Sequence, residues 1–225
     1  MAGEAWNEDL FSTGLTAVLD EALQGARNAG SLAKAVACCG ARAEAVCSGR
    51  PMACAAGCPH CCVLNVAILL PEGMIIADRL QESLAPAALR AMEKRLATHR
   101  NWGRWMDDEE RIARLAVCPL LDDAGRCSVH PVRPLACRGV ASLDNTCCRE
   151  AFNPIISDQE RTVPADLQRR AVYDAAFAAL ARTLRRHGLD DRSIELGVGV
   201  LAFLEHPGYR GLFLSGRELP RELWG

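Results

Sequence analysis

The sequence predicts a mostly α-helical domain in which two irregular, cysteine-bearing loop or hairpin segments are gathered around a metal centre. Two patterns support this fold class: apolar residues recur at helical spacing through most of the chain, and two stretches rich in Gly, Pro and Cys interrupt that spacing. The third observation is the count of 12 Cys among 225 residues. A chain of this length can bury a core without disulfides, so the surplus cysteines need a chemical explanation.

Composition excludes several classes of function. The 26 basic and 28 acidic residues leave a formal net charge of -2, which favours neither a nucleic acid nor an anionic membrane as partner. Residues 1–6 lack the basic and apolar parts of a secretory signal, and the longest apolar run, 61–70, is too short to cross a bilayer. We therefore expect a cytoplasmic protein, whose clustered cysteines bind metal or perform redox chemistry rather than form disulfides.

Helices are predicted on both sides of the cysteine segments. In the first half of the chain the predicted ranges are 8–30, 31–47, 71–83, 86–99 and 107–117. Gly30 is the expected end of the first helix, and Pro71 and Pro86 suit the first turns of theirs. Later helices are predicted over 164–187 and 193–205, with Ser193 as the N-cap of the second.

Residues 118–148 are predicted to form loops and a hairpin. Asp122 to Gly125 has the composition of a turn, and Pro119, Pro131 and Pro134 oppose a regular helix. We divide the chain into a helical extension at 1–50, a cysteine-cluster region at 51–150 and a C-terminal helical region at 151–225, packed as one domain.

The cysteines of the two irregular segments have the spacing of metal ligands. The candidate ligands are Cys54, Cys58, Cys61, Cys62, Cys118, Cys127, Cys137 and Cys147. A short spacing such as Cys58-x2-Cys61 turns two thiolates toward one ion, and a second pair from elsewhere completes a four-thiolate shell. Two arrangements stay open: two four-thiolate sites, or a single site, for which we favour Cys58, Cys61, Cys127 and Cys137.

Basic residues and the remaining cysteines extend this hypothesis. Arg126, Arg133 and Arg138 lie beside the thiols in sequence and could offset the negative charge of a thiolate centre. His60 and His130 are candidates for an additional ligand or a proton carrier. The cysteines outside the candidate set are Cys38, Cys39, Cys47 and Cys148. Cys38 and Cys39 are expected to pack within a helix, and the roles of Cys47 and Cys148 are left open.

The ordered motifs resemble the bacterial YkgJ-like cysteine-cluster family, which is described as zinc- or iron-chelating. The matching features are Cys54-x3-Cys58-x2-Cys61-Cys62, Cys118, Gly125-Arg126-Cys127-Ser128-Val129, Arg133-Pro134-Leu135-Ala136-Cys137-Arg138 and Cys147. The resemblance covers about residues 54–148 and implies a zinc or iron-sulfur centre in a cytoplasmic protein. Similar cysteine patterns occur in flagellin lysine methylases, which implies protein modification as one alternative.

The leading hypothesis is a metal-binding protein that holds an iron-sulfur cluster, with a four-iron cluster favoured, or zinc, and that has a redox or protein-modifying role. A chain this long does not need zinc to fold, which is why we favour the cluster. The alternatives are a zinc-organised module in which helices 164–187 and 193–205 face a protein partner, and a dithiol oxidoreductase at Cys58-Pro59-His60-Cys61. Phosphate-binding, dinucleotide and G-x-S-x-G motifs are absent from the sequence.

Overall fold

Helices account for most of the fold, as predicted. The computed structural model describes residues 6–24, 28–154 and 162–224. The α-helices within these ranges are α1 (Glu8–Gln24), α2 (Ala29–Val46), α3 (Leu70–Ser83), α4 (Pro86–Gly103), α5 (Asp108–Ala113), α6 (Leu135–Gly139), α7 (Asn145–Ala151), α8 (Leu167–Arg186), α9 (Leu196–Glu205) and α10 (Gly208–Leu214). Two strands, β1 (Ala67–Leu69) and β2 (Ser193–Glu195), pair antiparallel.

One half of the core is built where α1 and α2 pack on α8. Leu15, Leu19 and Leu23 follow each other at intervals of four along α1, so they share one buried face. The Asn28 side chain accepts a hydrogen bond from the Ser31 N–H at 2.9 Å and thereby caps α2. The predicted helix end at Gly30 is therefore wrong, because Gly30 lies in the first turn of α2; residues 25–27 of that predicted helix lie outside the described residues.

The other half of the core surrounds α9, which packs against α3 and α4. All residues from 196 to 204 are buried, and an apolar helix without a polar face belongs in an interior. The strand pair aligns the start of α9 with the start of α3, since Ile68 lies opposite Ile194. A Cβ on Gly73 would lie 3.3 Å from the backbone of Gly199, so these glycines allow the two helices to approach closely.

Several predicted elements need correction. Residues 193–195 form β2 rather than a helical turn, and the N-cap of α9 is Glu195, whose carboxylate accepts a hydrogen bond from Val198 N–H. The last predicted helix is followed by α10, which was not predicted from the sequence. Residues 118–148 contain the predicted hairpin but also α6 and the start of α7. Pro134 directly precedes α6, because a proline suits the position before a helix although it disrupts the interior.

The remaining predicted helices, at 71–83, 86–99, 107–117 and 164–187, correspond to α3, α4, α5 and α8 with shifted ends. Within the described ranges no helix has both the length and the apolar character needed to cross a bilayer. The division of the chain at residues 50 and 150 stays a prediction.

Candidate metal centre

The two cysteine segments meet around one cavity of about 940 Å³. Seven of the eight predicted ligands line it: Cys54, Cys58, Cys61, Cys62, Cys118, Cys127 and Cys137. The segments are joined directly, because the Cys118 N–H donates a hydrogen bond of 2.8 Å to the carbonyl of Cys62. The cavity therefore brings together thiols that are far apart in sequence.

The second segment presents its thiols from a hairpin and a short helix. Asp122 shapes the hairpin turn by accepting hydrogen bonds from the N–H groups of Ala124 and Arg126, and Cys127 follows on the second arm. Gly125 is in the left-handed region, with φ of 71°, which a turn residue without a Cβ adopts at no steric cost. This rigid turn fixes the position of Cys127.

Buried charged side chains hold both ends of α6, the helix that carries Cys137. At its start, the Glu72 carboxylate accepts hydrogen bonds of 2.8 Å from the N–H groups of Leu135 and Leu69. At its end, the Arg169 guanidinium donates a hydrogen bond of 2.8 Å to the Arg138 carbonyl. Cys137 is thus positioned by the helical core and not by the loops alone.

Three cavity thiols act on Cys137, and we call the four together the inner thiols: Cys61, Cys118, Cys127 and Cys137. Burial raises the pKa of Cys118 to about 12 and raises the pKa of Cys137 as well, with neighbouring thiols adding to both shifts. The pKa of Cys61 is also raised, mainly by its contact with Cys62 and secondly by burial. Buried thiols of this kind ionise only when positive charge, such as a metal ion, compensates them.

A second group, the outer thiols, comprises Cys54, Cys58 and Cys148. Burial raises the pKa of Cys148, to which Cys54, Cys61 and Cys58 contribute further. The Ser142 N–H contacts the Cys54 sulfur at 3.5 Å, and the Ser142 side chain lowers the pKa of Cys148 against the effect of burial. Cys148 is 7% exposed and is not among the residues that line the cavity.

Cys147 points elsewhere. Its thiol donates a hydrogen bond of 3.4 Å to the Asp144 carboxylate, and it is not among the residues that line the cavity. Adjacent positions of a helix are 100° apart, so only one of Cys147 and Cys148 can face the other thiols. Cys148, whose role the sequence left open, is the one that faces the other thiols. The Asp144 cap fixes the rotation of α7 and thereby decides which of Cys147 and Cys148 does so.

Two of the three predicted arginines act on the thiols. Arg133 and Arg138 both lower the pKa of Cys127 and oppose the upward shift caused by its burial. Among the described residues neither guanidinium forms an ion pair with a carboxylate, and Arg133 Nε is buried without a hydrogen-bond partner. Arg126 instead pairs with Asp122 at 3.0 Å on the surface.

The two candidate histidines differ in position. His130 lines the cavity, and burial together with Arg133 and Arg138 lowers its pKa, so its imidazole is neutral at pH 7. His60 lines a separate surface groove beside the hairpin. Neutral imidazole is the form that ligates a metal, which keeps His130 as a candidate.

The cavity thiols offer an all-sulfur donor set without being closed around one point. In the part of the chain that the structure describes, no three Cys, His, Asp or Glu side chains are placed to hold an ion as they stand. Thiol side chains have one rotatable χ1 bond, so ligation requires rotations of these side chains. The donor chemistry fits both zinc and an iron-sulfur cluster, because both accept four thiolates.

The cysteines of α2 do not belong to this cavity. Cys39 is fully buried in the apolar core, and Cys38 packs against it, so the packing predicted for both is observed. Cys47 is buried at the C-cap of α2, where its N–H donates a hydrogen bond to the Ala43 carbonyl. The cysteines of α2 and its C-cap are thus separated from the cavity thiols.

Comparison with protein families identifies the segment that contains the cavity thiols. A family model named CxxCxxCC, with the description "Putative zinc- or iron-chelating domain", matches residues 53–162. Residues 53–162 match this model, and we call them the CxxCxxCC domain. The match confirms the predicted cysteine-cluster family and extends beyond residue 148, where the resemblance ended.

The CxxCxxCC domain includes all eight predicted ligands and Cys148, whereas α1, α2, α8 and α9 lie outside it. Comparison with curated proteins and with solved structures finds no match. Metal binding through the clustered cysteines is therefore the function that the family supports.

Proposed function

We propose that the CxxCxxCC domain holds a metal centre at the inner thiols, Cys61, Cys118, Cys127 and Cys137, and that this centre is a four-iron cluster in preference to zinc. The observation that carries the metal centre is the pair Arg133 and Arg138, whose guanidinium groups act on Cys127. Among the described residues neither forms an ion pair with a carboxylate, although Glu44 acts on Arg138 from a greater distance. Four thiolates around a divalent ion or an oxidised four-iron cluster leave about two negative charges. Two guanidinium groups offset that charge.

Two features favour an iron-sulfur cluster over zinc: the size of the cavity, and a helical core whose buried residues include no cavity thiol. The cavity of about 940 Å³ is far larger than a single ion needs. The cavity thiols Cys118 and Cys127 pack against the apolar core, but its buried residues include no cavity thiol. A core of this size does not need zinc in order to fold. When bound, a cluster of this kind would supply one-electron transfer, which fits a redox or protein-modifying role.

The chain's own residues would supply the setting for that chemistry. The Cys thiols give up their protons on ligation, and Arg133 and Arg138 stabilise the resulting negative charge. Glu72 and Arg169 keep Cys137 in place from both ends of α6. The outer thiols Cys54, Cys58 and Cys148 provide a second group of donors beside the first.

Metal ligation is favoured over a dithiol reaction at Cys58 and Cys61. An attacking thiol of an oxidoreductase has a lowered pKa, typically at the N-terminus of an α-helix. Here a short 3₁₀ turn, His60–Val63, follows Cys58, and contact with Cys62 and burial raise the pKa of Cys61. For the zinc-organised interaction module, α9 offers no partner surface, because its residues 196–204 are buried.

The test is metal and sulfide analysis with a visible spectrum on protein purified anaerobically. We expect a coloured protein that contains iron and sulfide in equal amounts. The double variant R133Q/R138Q should hold less iron than R126Q, a matched control whose arginine pairs with Asp122 on the surface. A colourless protein with stoichiometric zinc would contradict the iron-sulfur proposal, and a folded protein without any metal would contradict the metal centre itself.

A further inference from the structure

The cavity extends beyond the thiols to a second wall, which we call the polar wall: His99 of α4, Arg111 of α5 and Glu195 of β2. A volume of about 940 Å³ lies within the range of small-molecule sites. The four inner thiols do not account for these three polar residues. The polar wall is therefore a candidate for a site of its own.

His99 is a buried imidazole without hydrogen bonds. It is 5% exposed, and neither Nδ1 nor Nε2 has a partner. The Glu195 Oε1 atom is 4.0 Å from Nδ1. The backbone of Ala116 raises the pKa of His99, but its geometry is not that of a hydrogen bond. Burial lowers the pKa of His99, so the ring is neutral at pH 7 with one N–H donor and one acceptor. A buried polar atom without a hydrogen-bond partner destabilises the protein.

The carboxylate of Glu195 is held so that its Oε1 atom faces both Arg111 and His99. Its Oε2 atom accepts a hydrogen bond of 2.9 Å from Val198 N–H. Its Oε1 atom lies 3.6 Å from a terminal nitrogen of Arg111, which is 2% exposed and donates to the carbonyls of Gly103 and Met106. Oε1 is thus too far from both Arg111 and His99 for a direct hydrogen bond. A polar atom placed beside the gap between His99 Nδ1 and Glu195 Oε1 can reach both atoms at ordinary hydrogen-bond distances.

Gly197 keeps the space beside this carboxylate open. A Cβ at this position would lie 3.1 Å from Glu195 Oε2 and 3.5 Å from His99 Nδ1. Gly197 also lines the cavity, so the space is continuous with it. Any side chain here would fill the region between the imidazole and the carboxylate.

We propose that the polar wall binds a hydroxyl group of a small organic molecule held in the cavity. A hydroxyl oxygen accepts a hydrogen bond from the His99 N–H, and its proton is donated to Glu195 Oε1. An ammonium group is disfavoured by the buried charge of Arg111, and a carboxylate or phosphate is disfavoured by Glu195. A neutral group that both donates and accepts a hydrogen bond can pair with Glu195 and His99 at once.

Water has the same hydrogen-bonding chemistry, but the cavity favours an organic source. Its lining continues from the polar wall into apolar residues: Leu64, Val66, Leu120 and Leu196. Apolar surface next to a few placed polar groups is typical of sites that bury an organic ligand. The inference does not rest on the metal proposal, because none of the polar-wall residues is among the proposed ligands.

The test is ligand-observed NMR of the full chain, as purified and with its metal content measured, with three probes of one size: 1-propanol, propionate and propylammonium. We expect 1-propanol to bind saturably and more tightly than both charged probes. Gly197→Ala should weaken 1-propanol binding about tenfold or more, because it closes the space and removes hydrogen bonds. Gly211→Ala is the matched control, since a Cβ there meets no atom within 4 Å.

Three results would overturn the inference. These are tighter binding of propionate or propylammonium, no saturable binding of any probe, and 1-propanol binding that Gly197→Ala leaves unchanged. In the second case the wall holds water only. Metal-free protein that binds 1-propanol in a Gly197-dependent way would support this inference while contradicting the proposed metal centre, so the two can fail separately.

Discussion

Cys39 and Cys137 are both cysteines in helices, yet they lie in opposite environments. Burial raises the pKa of both thiols. The charged neighbours of Cys39 are the acidic groups Cys38 and Glu72, which raise its pKa further, whereas Arg133 lowers that of Cys137. Burial alone therefore does not indicate a ligand. Convergence with other thiols and a compensating cation distinguish Cys137.

The two regions are nevertheless coupled through α6. Glu72 of α3 binds the start of this helix, Arg169 of α8 binds its end, and Gly139 packs against Tyr173 of α8. Each of these contacts joins the cavity to the helical core. Substitutions there should change stability and metal binding together, unlike substitutions within either region alone.

The largest difference is expected between Cys137→Ala and Cys39→Ala. Cys137→Ala removes one of four proposed ligands, so the metal bound per chain should fall to near zero. Cys39→Ala should keep its metal and lose about 1 kcal/mol of unfolding free energy, through the small cavity left in the core. Metal analysis and urea unfolding measure both quantities. Equal metal loss in the two variants would contradict the separation of the two environments.

Arg169→Leu should give the next largest effect. Arg169 is buried, pairs with Glu44 at 2.6 Å and donates to the Arg138 carbonyl. Its loss leaves that carbonyl unpaired and leaves Glu44 with the Tyr173 hydroxyl as its side-chain donor. We expect a loss of about 3 kcal/mol, at the low end for a buried pair because Glu44 is partly exposed. Arg170→Leu, which breaks an exposed pair with Asp174, should stay within about 0.5 kcal/mol. Similar urea midpoints for the two variants would contradict the role of Arg169.

Glu72 should make stability depend on pH. Burial raises its pKa from 4.5 to about 7 in the folded chain, so the folded state binds more protons than the unfolded state between these values. Stability should therefore fall as pH rises from about 4.5 to 7, by up to about 3 kcal/mol relative to Glu72→Gln, which does not titrate. Urea unfolding at pH 5, 6, 7 and 8 measures this difference. A constant difference between the two proteins would contradict the titration of Glu72.

The sequence was sufficient for the features that depend on local pattern. The buried leucines of α1 share the helical spacing from which that helix was predicted, and Pro71 and Pro86 lie in the first turns of α3 and α4 as expected. The cysteine spacing identified the family and seven thiols of one cavity. The helices are local features, since each depends on residues a few positions apart. The cavity thiols are far apart in sequence and were recognised from the order of their motifs.

Features set by distant contacts were not predictable. The strand pair joins two segments of three residues each, too short for an alternating pattern to stand out. Glu72, Arg111 and Arg169 are buried, although charged residues in helices usually face solvent. A signal for Glu72 exists in retrospect, since it stands three residues after Leu69 and closes back on the Leu69 N–H as the third residue of a capping box does.

The smallest expected effect, and the one with the sharpest sign, separates Gly139→Ala from Gly40→Ala. A Cβ on Gly139 would lie 2.9 Å from the Tyr173 Cβ, so α6 must move away from α8, at a cost of about 1–3 kcal/mol. Tyr173 cannot easily yield, because its hydroxyl donates a hydrogen bond of 2.7 Å to Glu44. The atoms nearest to a Cβ on Gly40, inside α2, are side-chain atoms of Arg138, the first at 3.9 Å, which is ordinary van der Waals contact. Alanine there should stabilise the helix by up to about 1 kcal/mol.

Urea unfolding should thus give opposite signs for two glycine substitutions on helices that pack against α8. Gly139→Ala should also reduce bound metal, since it displaces the helix that carries Cys137, whereas Gly40→Ala should not. Destabilisation by both would mean that α2 and α6 are equally tight against their neighbours. Destabilisation by Gly139→Ala with unchanged metal content would mean that Cys137 reaches the centre whatever the position of α6, and that the coupling between core and cavity is structural only.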